Sequence, residues 1–211
     1  MITELQNKTL CAVNNYITIN IPEPQEAKVG DIYLSEEAEK INRWGDVVSV
    51  GPGVIDFNGE RIEMPVSVGD KVYASSHGHI ELDFNPIGID EKVTCVSILD
   101  VLAVLKDKEN LELVPLGAFV EIEKVEPEEE DCGILLPDNR LAIPNIGKVV
   151  TLGTGWTSVD GKPIPFDVNI GDYISFIPYN ERVVDFNPLG VNKKKYLVFH
   201  GDILGVFKDK E

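Results

Sequence analysis

The chain has 211 residues, 43% of them hydrophobic and 26% charged, which suits a soluble globular protein of one or two domains. Its formal net charge is −17, shared between residues 1–109 (9 basic, 19 acidic) and 110–211 (10 basic, 17 acidic). That acidity repels phosphate backbones and argues against nucleic acid as a partner, and no apolar run approaches the ~18 residues a membrane span needs. Lys193-Lys194-Lys195 is too small a basic cluster to build a binding stripe. The opening "MITELQNKTL" lacks a basic stretch leading into a long apolar one, so no secretory signal is expected. Cys11, Cys95 and Cys132 are odd in number and show no Cys-x-x-Cys spacing. A disulfide framework or zinc site is therefore not expected, and a reducing cytoplasm fits best.

The first element in chain order is "NNYITINI", which alternates Tyr16, Thr18 and Asn20 with Ile17, Ile19 and Ile21, the period of a half-buried strand. "GDVVSVGPG" follows from Gly45 as a strand ending in a Gly-x-Gly turn. "IDFNGERI" reads as a hairpin, with Asn58-Gly59 suited to a type I′ turn. "VSVGDKVYA" places a Gly-Asp turn before another strand. "SILDVLAVLKD" has both helical and strand character. Its later copy "HGDILGVFKD" carries Gly201 and Gly205, each costing ~1 kcal/mol inside a helix, so a strand is expected in both.

That copy belongs to a repeat. "DFNPIG" at Asp83–Gly88 returns as "DFNPLG" at Asp185–Gly190, 102 residues later. From Asp83 to Glu109, 27 residues align without a gap against Asp185 to Glu211 and 14 are identical, too long a register for coincidence. The same offset pairs Gly51-Pro52-Gly53 with Gly153-Thr154-Gly155, Asn58-Gly59 with Asp160-Gly161, and Gly69-Asp70 with Gly171-Asp172. Near the start it slips by one, so Tyr16–Ile19 meets Phe119–Ile122. The chain is a tandem duplication, and its many short strands with glycine turns indicate small antiparallel barrels. Helix is scarce; only Ser35–Asn42 suggests a turn or two.

Two stretches break the β pattern: residues 22–43 and 125–146 are long and rich in proline and glutamate. Each carries one apolar triplet, Ile32-Tyr33-Leu34 and Ile134-Leu135-Leu136. Loops this long inside compact domains are usually functional or disordered, and mobility is expected here. The triplets either fold back on their own barrels or serve a partner. Catalytic alternatives are poor. "GTGWTS" at Gly153–Ser158 leads into a hairpin turn where a dinucleotide fingerprint needs a helix. His77-Gly78-His79 is answered in the second repeat by Tyr179-Asn180-Glu181, which suits a solvated turn better than a metal site. No catalytic residue, metal or cofactor is expected.

The order of these features resembles the GroES co-chaperonins, nearly along the whole chain and twice. The family's mobile-loop motif matches Gly30-Asp31-Ile32-Tyr33-Leu34 and Cys132-Gly133-Ile134-Leu135-Leu136, though neither loop keeps both of its glycines. Its "VGD" turn matches Val68-Gly69-Asp70 and Ile170-Gly171-Asp172, and its closing strand matches Asp100–Val104 and Asp202–Val206. The resemblance implies an all-β protein of two tandem GroES-like antiparallel β-barrels, 1–108 (mobile loop 22–43, roof hairpin 53–65) and 109–211 (mobile loop 125–146, roof hairpin 155–167). It implies a non-enzymatic co-chaperonin that caps a GroEL-type chaperonin ring and assists ATP-dependent folding. Gly30, Ile32, Tyr33, Leu34, Gly133, Ile134, Leu135 and Leu136 would be the chaperonin-binding residues. Tandem forms occur in chloroplasts and divergent ones in bacteriophages; the acidic chain fits a bacterial or phage source working in the bacterial or host cytoplasm. In the family the first strand of one subunit pairs with the last of its neighbour, so this chain resembles two adjacent ring subunits fused. A homo-oligomer of three or four chains is then expected. The competing reading is a structural or adaptor protein, for example viral, that reuses the barrel without binding a chaperonin.

Overall fold

The computed structural model describes residues 9–22, 28–29, 32–33, 43–55, 58–75, 78–85, 92–125, 145–157 and 162–208. The chain divides into two compact units, Met1–Leu116 with Thr157–Pro163, and Gly117–Trp156 with Ile164–Glu211.

Unit one holds β1 (Tyr16–Asn20), β2 (Lys28–Val29), β3 (Ile32–Tyr33), β4 (Trp44–Val50), β5 (Lys71–Ala74), β6 (His79–Asp83), β7 (Lys92–Ser97), β8 (Val101–Asp107) and β9 (Glu112–Pro115). Seven of these form one antiparallel sheet in the order β6-β7-β1-β4-β5-β8-β9. Unit two holds β10 (Phe119–Lys124), β11 (Asn145–Leu152), β14 (Tyr173–Phe176), β15 (Arg182–Asp185), β16 (Lys194–Phe199) and β17 (Ile203–Val206). These pair in the order β15-β16-β10-β11-β14-β17. The two orders are one topology written twice, except that β9 adds a strand to the first sheet. The second repeat's hairpin carries the two-residue strands β12 (Trp156–Thr157) and β13 (Pro163–Ile164), paired with each other. The all-β class expected from the sequence is therefore the observed one. Among the described residues helical turns are of the 3-10 kind, at Ile98–Asp100, Asn187–Leu189 and His200–Asp202, with Asn85 also in 3-10 conformation.

Local chemistry explains why the turns recur. In the Gly-x-Gly turns the first glycine is a close approach: a Cβ on Gly51 would lie 2.4 Å from the Asn14 carbonyl oxygen, and one on Gly153 2.5 Å from that of Gly117. The second glycine is left-handed, with φ of 88° at Gly53 and 82° at Gly155. In the Gly-Asp turns the carboxylate closes the bend, Asp70 Oδ2 accepting from the Ser67 N–H at 2.9 Å and Asp172 Oδ2 from the Asn169 N–H at 2.8 Å. The two copies expected to be strands do form them, β8 and β17, each entered through a 3-10 turn.

Two expectations change. The turn at Asn58-Gly59 is not a two-residue type I′ turn. Only Gly59 is left-handed (φ 83°), and the flanking bridge joins Ile55 to Arg61, so a longer loop reverses the chain with one glycine. Nor is β1 half-buried: Thr18 is buried along with Ile17 and Ile19. Its Oγ1 lies 2.8 Å from Ser49 Oγ, which lets a β strand hide a hydroxyl on its second face. Asp160-Gly161 and the suggested helical turn at Ser35–Asn42 lie outside the described residues.

Each unit has its own core. In the first, Ile17, Ile19, Val47, Val72, Val96, Val104 and Leu116 pack together. In the second, Val120, Ile122, Val149, Ile174, Phe176 and Val198 do the same. The members correspond through the duplication, Ile19 to Ile122 and Val47 to Val149. The one-residue slip therefore falls between β1 and β4, in the stretch that holds the first long loop.

Candidate functional site

Each sheet is interrupted by a long connection at the same place, between β1 and β4 in the first and between β10 and β11 in the second. Because those strands are antiparallel neighbours, each connection leaves and re-enters its sheet at one end. Asn20 pairs with Asp46 and Lys124 with Gly147, and the Val125 N–H donates to the Ile146 carbonyl at 2.9 Å.

Of the predicted binding residues, Ile32 and Tyr33 are described. They form β3, which pairs with β2 through Lys28 to Tyr33 and Val29 to Ile32. Gly30, Leu34, Gly133, Ile134, Leu135 and Leu136 lie outside the described residues.

The supports of these connections were not legible in the sequence. Where the second connection leaves β10, Lys124 Nζ bonds Glu181 Oε1 at 2.5 Å and lies 5.1 Å from the Tyr196 ring centroid. Burial pushes the Glu181 carboxyl up, but the Lys124 bond and backbone N–H donors outweigh it and leave it below the usual carboxylate value. Lys124 and Glu181 are 57 residues apart and share no local pattern, so no motif could announce them. Where the first connection enters β4, the Trp44 and Tyr73 rings meet edge to face with centroids 5.0 Å apart. At the base of the second hairpin, His200 stands among Trp156 and Phe166, with centroids 5.0 and 5.4 Å away. His200 Nε2 accepts from the Asp167 N–H at 3.1 Å, so this histidine braces a turn.

His77 lies outside the described residues, and the backbone at Gly78 presses so close to Asp100 that a Cβ would sit 2.3 Å from its Cβ. Among the described residues no three His, Cys, Asp or Glu side chains are grouped to hold a metal ion. Among them too, no helix is long and apolar enough to cross a membrane. Lys195, from the basic triplet, bonds Glu121 Oε1 at 2.8 Å.

The duplicated geometry is matched by duplicated family membership. The family model "Chaperonin 10 Kd subunit" matches residues 9–105 and again 112–207. The chain belongs to the chaperonin 10 family. It carries two chaperonin 10 (GroES) domains in tandem, and the family is non-enzymatic. It is 30% identical over 165 residues to the chloroplastic 20 kDa chaperonin of Arabidopsis thaliana, an alignment covering 77% of this chain and 63% of that protein. It is 34% identical over 96 residues to the co-chaperonin GroES of Bifidobacterium longum subsp. infantis, covering 46% of this chain and 95% of the relative. With GroES of Bacillus pumilus the identity is 40% over 96 residues, covering 44% and 97%. A single chaperonin 10 relative thus spans one repeat, which accounts for the doubled topology.

Proposed function

We propose that this protein is a co-chaperonin that caps a GroEL-type chaperonin ring and assists its ATP-dependent folding cycle. One observation carries the reading: both repeats match the chaperonin 10 family, and both open the same pair of strands to insert a long connection with a glycine ahead of three hydrophobes. The contacts are assigned to the loops 22–43 and 125–146, through Gly30, Ile32, Tyr33 and Leu34 in one and Gly133, Ile134, Leu135 and Leu136 in the other. Burying three large apolar side chains contributes roughly 1.5–3 kcal/mol each. Ordering the loop around them costs ~1–2 kcal/mol per residue, so one loop binds poorly alone. Two loops on one chain, and more in an oligomer, bind together because later contacts are intramolecular. ATP hydrolysis belongs to the partner.

The functional repeats are 1–108 and 109–211, with roof hairpins at 53–65 and 155–167, and the working form is a homo-oligomer. Free thiols at Cys11 and Cys95 suit a reducing cytoplasm. Mixing the protein with a GroEL-type chaperonin and ATP tests the reading by gel filtration. Co-elution that requires nucleotide is expected. Separate elution at micromolar concentrations with nucleotide present contradicts it and favours an adaptor role.

A further inference from the structure

The chain contains one Asn-Gly pair, Asn58-Gly59, and it sits at the reversal of the first hairpin. Asparagine in front of glycine has a reactivity of its own. The nitrogen of the following residue closes a five-membered ring when it bonds to the carbonyl carbon of the asparagine side chain. A side chain on that following residue crowds the attack, and glycine has none.

The local structure leaves the reaction open. Asn58, Gly59 and Glu60 are all exposed. Gly59 has φ 83°, and a Cβ built on it would meet nothing within 4 Å, so the backbone there is uncrowded. Among the described residues no backbone hydrogen bond holds the Gly59 N–H. Below this tip the hairpin is tied. The Ile62 N–H donates to the Val54 carbonyl at 2.9 Å, and Arg61 Nη1 donates to the Gly53 carbonyl at 2.9 Å. The tip therefore has freedom to turn its torsions while the base stays paired.

Asn110, Asn169 and Asn187 are exposed as well but lack this combination. Asn110 precedes Leu111, and its Nδ2 donates to Asp107 Oδ2 at 2.6 Å. Asn169 precedes the β-branched Ile170, and its Nδ2 donates to Asp172 Oδ2 at 3.5 Å. Asn187 precedes Pro188, which has no N–H to give up. The second repeat already carries the product residue, since the counterpart of Asn58 is Asp160.

We propose that Asn58 is a self-modification site, where the Gly59 nitrogen attacks the Asn58 side-chain amide and the asparagine becomes aspartate or isoaspartate. The bond from the Gly59 nitrogen to Asn58 Cγ forms, and the amide nitrogen of Asn58 leaves with the Gly59 proton as ammonia. A succinimide remains. Water then opens the ring. Attack at the side-chain carbonyl gives aspartate, and attack at the main-chain carbonyl gives isoaspartate, with one extra carbon in the backbone. Either product adds a negative charge to the first hairpin.

Peptide mass mapping tests this. Folded full-length protein is incubated at neutral and at mildly alkaline pH, beside a synthetic peptide of residues 54–63, "VIDFNGERIE". Asn58 should gain the mass of an amide-to-acid exchange, faster at the higher pH because the attacking nitrogen must lose its proton. Two products are expected. One matches the peptide from Asn58→Asp protein, and the other accepts a methyl group from S-adenosylmethionine in the presence of an isoaspartyl methyltransferase. Asn110 and Asn169 should stay unchanged, and Asn58→Gln, which would need a six-membered ring, should abolish the mass change at this site. An Asn58 still intact in the folded protein when the peptide has fully converted overturns the proposal. Conversion of Asn110 or Asn169 at the rate of Asn58 overturns it too, as does conversion that appears only once urea unfolds the chain.

Discussion

At residue 18 the first repeat buries a threonine hydroxyl against Ser49, and at the counterpart, residue 121, the second repeat buries a carboxylate against Lys195. The second solution is brittle. Glu121 is 4% exposed, so removing its partner strands a charge where water cannot reach it. Lys195→Met should lower stability by about 3–5 kcal/mol in urea unfolding, and Glu121→Met added to it should recover most of the loss. Lys193→Met and Lys194→Met, at exposed positions, should each stay within about 0.5 kcal/mol. His79 sets a pH dependence. Burial pushes its imidazole below the ordinary value, with Glu81 opposing, Arg43 reinforcing and Asp100 opposing. A base held down in the folded state favours unfolding once protons become available. Its contribution is complete above about pH 6.5 and is lost as pH falls from there toward the lower folded value. Melting temperature against pH should show that step, and His79→Gln should flatten it.

The repeated hexapeptide is an element in its own right. Asp83 and Asp185 each turn a carboxylate oxygen back to the backbone N–H two residues on, at 2.9 Å in both copies. In the second copy Phe186 is fully buried, its N–H donates to the Lys193 carbonyl at 3.0 Å, and Gly190 closes the turn left-handed at φ 82°. The segment is a folded cap between β15 and β16. Phe186→Ala should therefore cost about 3–5 kcal/mol, a core-sized loss from a loop residue, read by urea unfolding. The sequence marked this segment as special but not why, because its partners lie several residues away. What was legible rests on period and turn chemistry: alternation in "NNYITINI", Gly-x-Gly and Gly-Asp turns, and glycines in "HGDILGVF" that ruled out a helix. Thr18 was misjudged because a polar residue in an alternating strand reads as solvent-facing unless its hydroxyl partner, 31 residues away, is known. The loop bases escaped for the same reason, since Lys124 and Glu181 meet only through the sheet.

For the whole molecule, duplication does more than double the contacts. β9 lies beyond the first family match, residues 9–105, yet it pairs with β8 and belongs to the first compact unit. In the proposed reading one chain carries two binding loops, and avidity offsets the weak binding of each. The claim that the two triplets carry chaperonin binding is tested most directly by replacing Ile32, Tyr33 and Leu34 with Ser, then Ile134, Leu135 and Leu136, then all six. Binding to a GroEL-type chaperonin with ATP is measured beside thermal unfolding. The account predicts a loss of at least ten-fold, about 1.4 kcal/mol, for either loop alone and no detectable binding for both, with unfolding temperatures nearly unchanged. A six-residue variant that binds as tightly as the unaltered chain would contradict it.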